Sequence, residues 1–156
     1  TPKRCMITPI MPKKRRVWSV GIYCRHDEAV LLAHRNTLGW APIEGAIIGQ
    51  DTPLEAARRL LGDIGWDRVI FPAIHKVVDA PAGLLLYEEH DDEEGTKHRS
   101  FAFVAEVPSQ KFSLGEPYSG AMWVRSVAEL PMGCPTRVLT TLPFALTAGR
   151  EKIVPT

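Results

Sequence analysis

Residues 51–66, DTPLEAARRLLGDIGW, constrain the fold of this chain more than any other segment, because they specify both ends of one helix and its buried face. Thr52 is a natural N-cap, Pro53 suits the first helical position, and Glu55 completes a Thr-x-x-Glu capping box. Leu54, Ala57, Leu61 and Ile64 recur at near-helical spacing and give one apolar stripe. Gly65 is placed to end the helix. A helix with one apolar stripe needs another layer to cover it.

The flanking segments supply that layer. VWSVGIYC (Val17 to Cys24) and AVLLAHR (Ala29 to Arg35) are β-prone, and the turn-forming RHDE between them suggests a hairpin. NTLGWAPIEGAIIGQDT reads as a loop with short extended pieces. After the helix, VIFPAIHKVVDA, GLLLYEE and RSFAFVAEV (Arg99 to Val107) read as strands, with the acidic HDDEEGTK loop before the last of them. AMWVRSVAEL reads as a strand running into a short helix with Ser126 as a cap. TRVLTTLPFALTAG reads as a terminal helix interrupted near Pro143. The expectation is an α/β (α+β) fold: an α/β/α sandwich of one mixed sheet, one central helix and one C-terminal helix. Residues 1–16 form a basic lead-in, 17–150 a single domain and 151–156 a tail.

Size and composition permit this and exclude other classes. The chain has 156 residues, enough for one sizeable core, and a formal charge of +1, so no global field favours nucleic acid or membrane. Cys5, Cys24 and Cys134 lack metal-site or disulfide-framework spacing, which favours an intracellular setting. No apolar run is long enough to span a bilayer, so no membrane partner is expected. Whether Thr1 is a processed or engineered start stays open, as does the compartment.

The segment from Glu44 to Trp66 resembles the Nudix hydrolase box, G-x5-E-x7-R-E-U-x-E-E-x-G-U, where U is a bulky apolar residue. Arg58 falls on the box arginine, Leu60 on an apolar position, Asp63 on the last acid, Gly65 on the final glycine and Trp66 on the closing apolar position. Glu44 replaces the opening glycine, with Gly45 next to it. Gln50, Arg59 and Gly62 stand where the other three glutamates belong. Shifting the register by one puts Asp51 on the first glutamate but then requires a deletion. GWAP (Gly39 to Pro42) and MWVRSVAEL (Met122 to Leu130) are similar to the family's punctuation elsewhere in the chain.

The resemblance implies water attack on a substituted diphosphate, with Mg²⁺ or Mn²⁺ held by glutamates that share a helix face. In this chain only Asp63 keeps a carboxylate at those box positions, and Arg59 sets a fixed cation against the metal. The expectation is therefore a box without ordinary hydrolysis and without a resident cofactor. Were the chain active, Asp63 and Glu44 would be the metal candidates, Arg58 would orient the loop, and Asp51, Glu55 or Glu106 would have to converge with them. As a bare sequence reading, the same helix is an amphipathic core helix with Arg58, Arg59 and Asp63 on its solvated face.

Two basic clusters precede strands. PKKRRVW holds Lys13, Lys14, Arg15 and Arg16; TKHRSF holds Lys97, His98 and Arg99. The pairing is similar to that of diphosphoinositol polyphosphate phosphohydrolases, in which such cations hold phosphate. Guanidinium forks and ammonium groups suit phosphate on general grounds. The expected ligand residues are these seven together with Arg59 and Gly45, and the expected partner is a phosphate-rich small molecule or RNA. Alternative readings stay open: PKKRRV as a nuclear localisation signal, the acidic loop as a neutraliser of Lys97, His98 and Arg99, and the whole chain as an interaction module in a protein complex.

Overall fold

The computed structural model describes residues 16–36, 39–75, 80–91 and 94–150. Seven strands form one mixed sheet: β1 (Arg16–His26), β2 (Ala29–Arg35), β3 (Gly39–Ala41), β4 (Ile43–Ala46), β5 (Leu84–Asp91), β6 (Lys97–Glu106) and β7 (Tyr118–Val124). The strand order is β3-β2-β1-β6-β5, with β4 also on β1 and β7 on β2. Helices α1 (Pro53–Asp63) and α2 (Thr136–Thr147) complete the described architecture with a short 3₁₀ turn, Val127–Glu129. This is the expected mixed sheet with two helices.

Strand alternation distributes the core over both faces of the sheet. Val20, Ile22 and Cys24 of β1 pack with Ala57 and Leu61 of α1, whereas Tyr23 joins Val138 and Leu142 of α2. The β1–β2 turn carries Asp27 at φ 55°, a left-handed conformation that aspartate tolerates better than most residues. The α1 start follows the sequence reading. Thr52 Oγ1 accepts from the Glu55 amide at 3.1 Å, and the Glu55 carboxylate accepts from the Thr52 amide at 2.9 Å. Those bonds hold the Glu55 carboxyl below its ordinary range.

The central register is the parallel pairing of β1 with β6, from Arg16 beside Lys97 to Arg25 beside Glu106. Parallel neighbours require a long crossover, and the segment between these strands includes α1. At the far end of the pair, buried Arg25 donates from Nε to Glu106 at 2.6 Å and from Nη1 to the Ala145 carbonyl at 2.8 Å. That second bond places a cation at carbonyls near the C-terminus of α2, where the helix dipole favours it.

Three expectations change. VIFPAIHKVVDA contributes no named strand among its described residues: Ile70 exchanges both backbone bonds with Glu106, and Pro72 follows with no N–H to extend the ladder. Helix α2 runs through Pro143 without interruption, because the bond lost would have used the carbonyl of half-exposed Leu139. Ser126 occupies the N-cap position of the 3₁₀ turn without a side-chain capping bond. The lead-in to residue 15 and the tail, 151–156, lie outside the described residues.

Gly45 on β4 faces α1, where a Cβ would lie 2.6 Å from Leu60 Cδ2 and 2.7 Å from Leu60 Cδ1. We expect Gly45→Ala to lower unfolding free energy by about 1 kcal/mol in urea titration, since the flexible end of Leu60 can yield part of the space. An unchanged midpoint would remove the packing role assigned to this glycine.

Candidate functional site

The structure places the box residues in separate environments. On β4, Gly45 turns toward α1 while its neighbour Glu44 turns to the opposite face of the sheet, toward α2. There Glu44 accepts two bonds from Arg137, at 2.8 and 3.2 Å, and Arg137 also lies 3.7 Å from Glu88. Burial lowers the Arg137 pKa, but the attraction of Glu44 and Glu88 outweighs it and leaves the group raised. The Tyr118 hydroxyl donates to the Glu44 carbonyl at 3.2 Å and lies 3.3 Å from the Glu44 amide as its acceptor. Tyr118 thereby braces the opening of the box segment against β7.

Arg59 turns back along α1, its Nε 3.2 Å from Asp51 Oδ2 and its Nη2 3.4 Å from the Ala46 carbonyl. Arg58 points elsewhere, its guanidinium 4.9 Å from the Phe71 ring centroid. Asp63, the last residue of α1, is exposed and makes no hydrogen bond or ion pair among the described residues. Trp66 is buried against Phe112 and Trp123, so the closing apolar position of the box is a core anchor.

These placements bear on the divalent metal that the Nudix resemblance implies. The acids able to supplement Asp63 are already engaged: Glu44 with Arg137, Asp51 with Arg59, Glu55 with the α1 N-terminus, and Glu106 with Arg25. Glu44 and Asp63 sit on opposite faces of the sheet layer. No group of three or more His, Cys, Asp or Glu converges in metal-binding geometry among the described residues. The donor set on α1 therefore does not fit a carboxylate-held Mg²⁺, which needs several oxygens around one point.

The second basic cluster lies at the start of β6. Lys97 Nζ is 3.2 Å and Arg99 Nε 3.1 Å from the carboxylate of Glu89 on β5. The Arg99 contact lacks hydrogen-bond alignment. The hydrogen bond from Lys97, followed by that from Tyr87, depresses the Glu89 pKa against a smaller effect of desolvation. Alternation turns His98 to the opposite face, so the Lys-His-Arg run presents two cations together and not three. Arg16 opens β1 directly beside Lys97 in the ladder. Lys13, Lys14 and Arg15 lie outside the described residues.

Sequence reasoning missed Arg137; Glu88 and Glu89 stood in the acidic run read as a neutraliser of Lys97, His98 and Arg99, and Glu89 does lie against Lys97 and Arg99. Arg137 is the one charged residue in TRVLTTLPFALT, and an isolated charge on a helix packed against a sheet is the signal that pointed to a buried partner. We expect Arg137→Met to cost about 2 kcal/mol by chemical denaturation, because Glu44 would keep its half-buried charge without a counterion. Adding Glu44→Gln should restore part of that loss. Equal stability of wild type and Arg137→Met would show that the pair contributes nothing.

No family model and no curated protein matches the sequence. Solved structures do match the fold. A NUDIX-family hydrolase from Clostridium perfringens aligns with a TM-score of 0.69 at 18% identity, covering 85% of this chain and 97% of its own. A MutT NUDIX hydrolase from Burkholderia pseudomallei aligns with a TM-score of 0.61 at 17% identity, covering 86% and 98%. An ADP-ribose pyrophosphatase from Streptococcus suis gives 0.56 at 14%, covering 90% and 96%. Identities this low speak to architecture, and the chain has the fold of the Nudix hydrolases.

Proposed function

We propose that this chain is a Nudix-fold protein that binds a phosphate-rich ligand without hydrolysing it. The observation that carries the reading is the β1–β6 register. It sets Arg16, the last residue of the first basic run in the sequence, beside Lys97 in the ladder, at the end of β6 that also carries Arg99. Phosphate held there would meet several cations, and binding would weaken steeply with added salt. The box supports the non-hydrolytic half of the reading, since Arg59 stands at an acid position and holds Asp51. A nucleotide, an RNA 5′ end and an inositol polyphosphate all carry the required chemistry.

The second reading is a metal-dependent pyrophosphohydrolase of nucleoside or inositol polyphosphates, favoured by a fold shared with hydrolases. Asp63 would then be its metal ligand and Arg58 would order the loop. A third reading is a subunit of a protein complex, favoured by the outer face of α2, where exposed Leu139 and Phe144 stand among uncharged residues.

Incubation with diadenosine polyphosphates, ADP-ribose, capped RNA and inositol pyrophosphates, each with Mg²⁺ and Mn²⁺, should release no product above background. Robust turnover abolished by Asp63→Ala would establish the hydrolase instead. For binding, Lys14→Glu with Arg99→Glu should weaken affinity for tripolyphosphate at least tenfold and flatten its salt dependence. Glu89→Gln should strengthen it several-fold, because it releases Lys97 and Arg99 from their carboxylate. Unchanged affinity in both variants would overturn the clamp.

A further inference from the structure

The sheet face that carries Lys97 and Arg99 also carries three aromatic rings on adjacent strands. Trp18 of β1 and Phe101 of β6 stack at 6.0 Å between centroids with 19° between planes. Tyr87 of β5 lies 5.2 Å from Phe101 and 6.4 Å from Trp18. Alternation places all three on the α1 side of the sheet, beyond the cover of the helix. Trp18 and Tyr87 each remain 44% exposed. Phe101 reaches down to the core and fixes the other two.

Exposed aromatics of this size are costly to leave in water unless something covers them. Here they do not stand in an apolar surround. The Arg99 guanidinium lies 5.2 Å from the Trp18 ring centroid, and the Tyr87 hydroxyl donates to Glu89 at 3.0 Å, the same carboxylate that holds Lys97 and Arg99. A greasy protein partner would strand these charges. A strand of unpaired bases satisfies both features: its rings stack on the aromatics, and its phosphates run along the cations. Stacking is indifferent to base identity, and three adjacent strands offer rings 5.2 to 6.4 Å apart, so successive bases can be accommodated.

We propose that Trp18, Phe101 and Tyr87 form a stacking platform for single-stranded nucleic acid, with Lys97 and Arg99 holding its backbone. The proposal rests on the phosphate-binding reading and narrows it to a ligand that carries bases. Inositol polyphosphates, which have phosphates but no aromatic ring, would use the cations alone.

The test is fluorescence anisotropy of labelled decauridylate and decathymidylate with the full chain, alongside the same length as duplex, free UTP, and competition by inorganic tripolyphosphate. Trp18→Leu and Tyr87→Leu keep apolar bulk and remove the π face, and Trp18→Phe restores it; thermal melts by circular dichroism confirm the fold of each. Both single strands should bind more tightly than duplex or UTP. Each leucine variant should weaken them about tenfold, Trp18→Phe should retain most of the affinity, and tripolyphosphate binding should not change in any of the three. Wild-type affinity in folded leucine variants, or equal affinity for duplex, overturns the platform and leaves the clamp standing. UTP bound as tightly as the decamers also overturns it, in favour of a free nucleotide. Failure of tripolyphosphate to compete, with the leucine variants still impaired, overturns the clamp and not the platform.

Discussion

The parallel ladder between β1 and β6 is the constraint on which the rest of the molecule hangs. Because the register runs unbroken from Arg16 with Lys97 to Arg25 with Glu106, every residue on one strand has its lateral neighbour fixed on the other. At one end Lys97 and Arg99 share a face of β6, which is electrostatically costly unless an anion sits between them, and Glu89 of the next strand supplies that anion. At the other end it brings Arg25 against Glu106, and the pair is extended by Arg150 and by a carbonyl of α2. One end of the ladder thus carries a half-buried ion cluster beside aromatic rings, and the other a buried latch. Alternation along the same two strands decides which helix each side chain meets.

A second regularity concerns the carboxylates. In a helix that gathers acids on one face, mutual repulsion is relieved by a divalent ion. Here the acids near the box are relieved by internal cations or amides instead: Glu44 by Arg137, Asp51 by Arg59, and Glu55 by the Thr52 amide. The first two of these pairings reach beyond one turn of chain. The Arg137 pair joins α2 to β4, and the Arg59 pair closes the loop that enters α1. In this chain these charges serve cohesion. Asp63, exposed at the helix end, belongs to no group of three or more candidate metal ligands among the described residues.

Much of this was legible in the residues and some of it was not, for physical reasons. The α1 cap is a local device: Thr52, Pro53 and Glu55 interact within one turn, so their spacing alone reveals them. The hairpin of β1 and β2 is local in the same way, with Asp27 marking its turn. The β1–β6 pairing joins residues about eighty positions apart, and no short-range pattern encodes which strands of a mixed sheet will meet. The same distance hid Arg137 as the partner of Glu44 and hid the aromatic trio, whose members belong to three different strands. The two basic runs were visible singly; that Arg16 pairs with Lys97 in one ladder was not. Pro72 was misread because hydrophobic content was weighed above the missing N–H.

The Arg59 position shows why a single charge can decide between the readings of such a box. A helix face that must hold a divalent ion gains from every added carboxylate and loses from every fixed cation, with an effect that grows as water is excluded. Arg59 is only about one-third exposed and is already matched to Asp51 and the Ala46 carbonyl. Converting it to glutamate would leave Asp51 beside a new negative charge, on a face where Gln50 and Gly62 still contribute no acid. Restoring one box residue would therefore leave its surroundings arranged around a cation. The electrostatics of the loop and of α1 are consistent with each other as they stand: Arg59, Asp51 and the Ala46 carbonyl form one matched set between them.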